Sequence, residues 1–212
     1  MKKLLILFII MLGISGCSNL NNTSIDNIIN DTLNEKNNLS NQYRQGFSYY
    51  LPTNLSSIKS DGSNEVLSNG LEKYYLYVDL VSFYNATDIK YVVNNNAYYS
   101  KEFNYNDKNG YIEINVNNDK YLIEIIYNYA KIEVMVDKEN INEAIAEALI
   151  VLSSTKYNKD VIDTLMSEDT LSYGEEKFTI FNDDVNDSNF LEYVQEYDNY
   201  EESEIPDYDL IN

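Results

Sequence analysis

The side chains that could carry chemistry are few in kind. The chain has 212 residues, of which 35 are acidic, one is cysteine and none is histidine. Without imidazole, neither a Ser-His-Asp nor a Cys-His nucleophile can be assembled, because nothing that titrates near neutrality can relay the proton. Zinc sites that need imidazole fall with them. A serine and lysine pair remains. Ser153 and Lys156 stand at the spacing where a lysine one turn on can accept the serine proton. They fall at the predicted end of a helix, however, where a cation opposing the negative dipole end is the simpler role. Carboxylates are the other resource. Glu113 and Glu133 are expected on one sheet face with Glu124 on a strand between them, and paired acids can hydrolyse glycosides when one is held protonated. That chemistry needs an aromatic-lined cleft, Trp is absent, and a strand glutamate ordinarily faces solvent. Asp184, Asn186 and Ser188 alternate like the opening of a calcium loop, but Asn189 stands where glycine is required and Gln195 where a bidentate Glu would close the shell. Seven glycines without phosphate-cradle spacing exclude a nucleotide site. The reading is of no catalytic residue, no dedicated metal site and no cofactor.

The lone thiol has a different use. Met1-Lys2-Lys3 is a basic head, Leu4 to Leu12 is an unbroken apolar run too short to span a bilayer, and Ile14-Ser15-Gly16-Cys17 follows. This sequence resembles the lipobox of bacterial lipoproteins. The resemblance implies cleavage before Cys17, acylation of its thiol with diacylglycerol, and a mature protein held by lipid on the extracytoplasmic face of the cell membrane. It covers only the first 17 residues. Cleavage removes two of the 15 basic side chains, leaving 13 against 35 acids and a formal charge of about −22. Such a surface repels nucleic acid and anionic headgroups, so membrane contact is expected through fatty chains such as palmitate. With no second cysteine, the fold must be stabilised by its core alone.

The elements that would position any site follow from periodicity. Residues 17–42 read as a lipid-anchored polar stalk, within which Ser24 to Leu39 forms either a short amphipathic helix, with Ile25, Ile28, Ile29 and Leu33 on one face, or a spacer. The run Phe47 to Leu51 ends at Pro52, and the polar stretch up to Gly70 reads as a loop. Alternation then predicts strands over Lys73 to Tyr84, Ile89 to Val93, Ala97 to Phe103, Tyr111 to Val116, Tyr121 to Tyr127 and Ala130 to Val136. The links between them are too short for crossover helices, so the strands should form an antiparallel meander. At Asp137, a helix cap, the period changes. Ile141, Ala144, Ile145, Ala148, Leu149 and Leu152 face inward with Glu143 and Glu147 outside, and a shorter helix follows over Lys159 to Met166. Lys177 to Phe181 reads as a last edge strand. The tail from Asn182 holds 11 acids and no Lys or Arg, so residues 182–212 are expected to be largely mobile.

The expected class is therefore α+β: an antiparallel multi-stranded sheet with one long and one short helix packed on one face, as a single domain over 43–181. Twenty-one tyrosines, many on strands, mark the remaining functional signal. Tyr75, Tyr77, Tyr98, Tyr99 and Tyr111 are the candidates for a face displayed to a partner, since Tyr orders cheaply in interface centres. The expected role is non-catalytic binding of an envelope or secreted protein. A small-ligand or cation-binding accessory lipoprotein is the alternative, with a histidine-free hydrolase behind it.

Overall fold

Alternating side chains leave a strand one apolar face to bury, and this chain buries it under two helices. The computed structural model describes residues 20, 23–35 and 38–167. Cys17, the strand expected at Lys177 to Phe181, the acidic tail and its calcium-type oxygens lie outside these residues. The helices are α1 (Ile25–Asn34), α2 (Leu80–Tyr84), α3 (Ile141–Ser154) and α4 (Lys159–Ser167). The large sheet contains β3 (Ser56–Asp61), β4 (Asn64–Ser68), β5 (Lys73–Val78), β6 (Tyr99–Tyr105), β7 (Lys108–Asn117), β8 (Lys120–Tyr127) and β9 (Ala130–Val136). A small second sheet joins β1 (Gln42–Tyr43), β2 (Phe47–Tyr49) and β10 (Lys156–Tyr157).

The large sheet is antiparallel throughout, in the order β3-β4-β5-β9-β8-β7-β6. Two meanders, β3 to β5 and β6 to β9, meet where β5 pairs with β9. The fold is α+β, an open antiparallel sheet with helices packed on it, and α3 is longer than the others at 14 residues. Ile112, Ile114, Ile123, Ile125, Ile132, Val134 and Leu76 point from the sheet into one core with Ile145, Leu149 and Leu152 of α3. Of the two alternatives for Ser24 to Leu39, the helix forms. Ser24 Oγ accepts from the Asn27 amide at 3.2 Å to cap α1, and Ile28, Ile29 and Leu33 are buried in that same core.

Asn-rich turns set the register. Asn106 and Asp107, and Asn128 and Tyr129, all take positive φ, the geometry that suits two-residue hairpins and that Asn tolerates well. Tyr129, bulky for this region, is held there because its carbonyl accepts from the Asp79 amide at 2.8 Å and its ring meets Phe83 edge-on. Gly110 is needed for closeness instead: a Cβ there would stand 2.4 Å from the Ile126 carbonyl oxygen.

Several expected boundaries are corrected. The supposed loop before Gly70 contains the β3–β4 hairpin, turning at Gly62 with φ +55. All six residues of β3 are exposed, so it carries no apolar alternation to read. The strand expected to run to Tyr84 stops at Val78. There the Asp79 carboxylate accepts from the Ser82 amide at 2.7 Å and opens α2, a local cap that overrides the alternation. Ile89 to Val93 forms no strand and belongs to the connection between α2 and β6. Asp137 makes no side-chain cap: a 3-10 turn, Lys138–Asn140, precedes α3, and Asp137 pairs with Lys120 at 3.5 Å. Glu147, expected outside, is buried.

Candidate functional site

The sheet face turned away from α1 and α3 holds a buried polar cluster. Register places Glu113 opposite Glu124, Glu124 opposite Glu133, and Glu133 opposite Tyr75, so the three acids expected on neighbouring strands form one row. Lys131, two residues before Glu133 and therefore on the same face, donates from Nζ to Glu133 Oε1 at 2.7 Å, and both side chains are almost wholly buried. Tyr111 OH donates to Glu124 Oε1 at 3.0 Å.

The connection from α2 to β6 closes this row. The Tyr91 ring lies flat on Tyr111, with centroids 3.9 Å apart, and its hydroxyl donates to Glu113 Oε2. Asn94 and Asn115 donate to Glu113 Oε1 at 2.9 and 2.8 Å. Ser100 Oγ accepts the Asn94 amide at 2.8 Å and lies 2.7 Å from the Tyr91 hydroxyl.

These partners push neighbouring acids apart. Burial alone would raise the Glu113 carboxyl, but the donors from Tyr91, Asn115 and Asn94 outweigh it and hold the group below the ordinary range. Glu124 lies well above that range, first through burial and then through the negative charge of Glu133, against which Lys131 and Tyr111 act. Burial, with Glu113 beside it, pushes the Tyr91 phenol up to about 12. A charged and a neutral carboxyl side by side could serve as base and acid. Here the stacked Tyr91 and Tyr111 cover the acids, and neither cavity described below is lined by them.

The five tyrosines singled out from sequence do not make one open surface. Tyr111 is sealed under Tyr91 and Tyr77 is buried, so neither meets a partner without displacement of its cover. Tyr75 is half-buried beside Glu133. Tyr99 points to the helix side, where its hydroxyl donates to Asp26 of α1 at 3.1 Å. Tyr98 is exposed and meets Tyr121 edge-on at 4.8 Å. Nor do Ser153 and Lys156 pair: Ser153 Oγ donates to the Ile150 carbonyl at 3.3 Å, and Lys156 Nζ to the Asn38 carbonyl at 2.5 Å. No protein-family model matches the chain, and no curated protein is similar enough to it to count as a relative.

Two concave features escape the sequence. Phe83, Tyr84 and Ala86, in and just after α2, face Lys159, Ile162 and Asp163 of α4 across a groove of about 710 Å³. Phe83 is half-buried in it and its lip is the exposed Tyr84. Reading α2 as strand hid it; the side chains of Phe83 and Tyr84 next to the capping Asp79 were the available signal. The second, about 160 Å³, gathers Glu72, Glu143 and Glu147 with Asn54, Asn69, Tyr74 and Asn140. Glu147 takes hydrogen bonds from Asn54, Asn69 and Tyr74, yet burial, with Glu143 and Glu72 nearby, raises its carboxyl. Its partners lie 73 to 93 residues away in sequence, too far for any local pattern to announce them.

Proposed function

We propose that the chain is a lipoprotein anchored through Cys17 on the extracytoplasmic side of a cell membrane, and that its domain is a non-catalytic module binding another envelope or secreted protein. The anchoring half rests on the basic head, the apolar run and Ile14-Ser15-Gly16-Cys17. The binding half is supported by the groove between α2 and α4, where the half-buried Phe83 offers apolar surface while Tyr84, Lys159 and Asp163 provide polar ends. An exposed tyrosine at the lip of such a groove is a side chain that interface centres use. A lipid tether also confines the search for a partner to a thin layer, raising its effective concentration.

The test has two parts. Replacing Cys17 with Ala should remove incorporated radiolabelled lipid; label retained on that variant would exclude the site. Crosslinked pull-downs with the full chain and with a variant changed at two exposed positions of the groove, Tyr84→Ser and Lys159→Glu, should differ in at least one recovered protein. Identical recoveries would remove the groove as the contact.

One observation favours a second reading: the groove volume falls within the several hundred cubic ångströms typical of small-ligand sites. Calorimetry with metabolites and cell-wall fragments separates the two. Heat lost in the groove variant, with protein recoveries unchanged, would assign the groove to a small molecule.

A further inference from the structure

The link between anchor and domain is short. Asn142, in the first turn of α3, donates from Nδ2 to the carbonyls of Leu20 and Thr23 at 2.7 and 2.8 Å. The Thr23 amide donates to the Leu20 carbonyl at 3.0 Å, and Ser24 already caps α1. The chain is thus fastened to the core from Leu20 onward. Cys17 lies three residues before it, and three residues reach at most about 11 Å.

Four of the ten exposed large apolar or phenolic side chains among the described residues stand at that end. β9 ends at Val136, directly before the turn into α3, so the start of β8 and the end of β7 lie there too; the Lys120–Asp137 pair ties their hairpin to the base of α3. Val116, the cross-strand neighbour of Tyr121, is 59% exposed, and Tyr98, whose ring touches Tyr121, is 48% exposed. Leu71 is 85% exposed, although its neighbour Glu72 is bonded to Asn140 at 2.8 Å, just before α3. Leu20 completes the group. A single exposed leucine needs no explanation. Four apolar or phenolic side chains around the point where the chain leaves toward Cys17 are what a bilayer interface accommodates, with aliphatic groups dipping below the headgroups and Tyr at their level.

We infer that the domain is not carried on a stalk: it sits directly against the bilayer, and the end bearing Leu20, Leu71, Tyr98 and Val116 is its lipid-facing surface. This inference rests on acylation of Cys17. The occupant is the membrane's own interfacial layer, and the contact is apolar, because a processed chain with a formal charge of about −22 is repelled by anionic lipid. The groove between α2 and α4 follows the opposite end of β5, which leaves it open to a partner approaching from outside.

The test uses the full, processed chain in phosphatidylcholine vesicles carrying a headgroup nitroxide quencher. Leu71→Cys and Asn104→Cys variants are labelled with a small fluorophore, the native thiol being blocked by its lipid. Asn104 pairs with Asn109, seven residues along β7 from Val116 and so roughly 23 Å from the proposed contact. Quenching at position 71 should exceed that at 104 at least twofold, and a twelve-residue Gly-Ser insertion after Cys17 should reduce the difference. Equal quenching at the two positions, with mass spectrometry showing diacylglycerol on Cys17, would overturn the seating while leaving the anchor in place. Absence of that lipid would overturn both.

Discussion

Lys131 shows what one buried charge requires of its surroundings. Glu133 is as deeply buried as its lysine partner, and Glu133 Oε2 has no hydrogen bond among the described residues. Taking both charges out of water is tolerable only while they face each other. Lys131→Met should therefore cost about 3–5 kcal/mol in urea denaturation, the penalty of leaving an uncompensated carboxylate in the sheet. Adding Glu133→Leu should restore most of that loss, because an apolar pair of similar volume needs no solvation. A double variant as unstable as Lys131→Met alone would mean that the pair contributes more than mutual neutralisation. Glu65 is a second instance: its Oε2 accepts from Arg44, Tyr49 and Ser57 at 2.6, 2.9 and 2.9 Å, which draws the β1–β2 region onto the large sheet.

At the scale of elements, α1 is part of the core. Its apolar positions at separations of three and four were visible from the sequence, but the pattern fits a helix on the domain and a helix in a spacer equally well. Packing against α3 decides between them, and with Ile29 fully buried the helix becomes a structural requirement. Ile29→Ala should lower stability by about 2–5 kcal/mol, the range for removing a buried aliphatic side chain. A chain begun at Tyr43 should lose its cooperative unfolding transition, since the apolar side of α3 would then face water. Circular dichroism in urea checks both, and an unchanged midpoint for Ile29→Ala would show that α1 is held only by its ends. The Tyr91 segment differs, for it attaches by one stacked ring and hydrogen bonds to Glu113 and Ser100. Its residues alternate in type but find no strand partner, so they cover a face and extend no sheet.

For the molecule as a whole, pH is the informative variable. Burial raises Glu124, Glu147 and Asp79 above their ordinary range in the fold. A carboxyl with a raised folded pKa binds its proton more tightly when folded, so its contribution is greatest below the unfolded value of about 4 and is lost as pH rises through the folded value. Asp26 is held low, chiefly by its hydrogen bond with Lys101, and Glu113 by its donors; these two act oppositely, losing their contribution only as pH falls below about 4. No histidine titrates between these ranges. The urea midpoint should therefore be higher at pH 5 than at pH 8, and Glu124→Gln should flatten that dependence. A slope unchanged in the variant would assign the effect to the net negative charge, which also repels itself more at high pH.

The sequence by itself determined the class of fold, the alternating strands of the β6–β9 meander and the inward face of α3. Each of these is periodic over five or more residues, and a period is a local property that survives without knowledge of partners. It also put Glu113 and Glu133 on one face with Glu124 on a strand between them, because short hairpins leave little freedom of register; the register itself aligned all three in one row. Only tertiary structure decided that β3 and β4 pair, that α1 joins the core, that Glu147 is buried and that Tyr91 closes the acid row. The contacts responsible join residues tens of positions apart, such as Glu147 with Tyr74 and Glu113 with Tyr91. Burial belongs to the space between elements, and no window along the chain contains both sides of it.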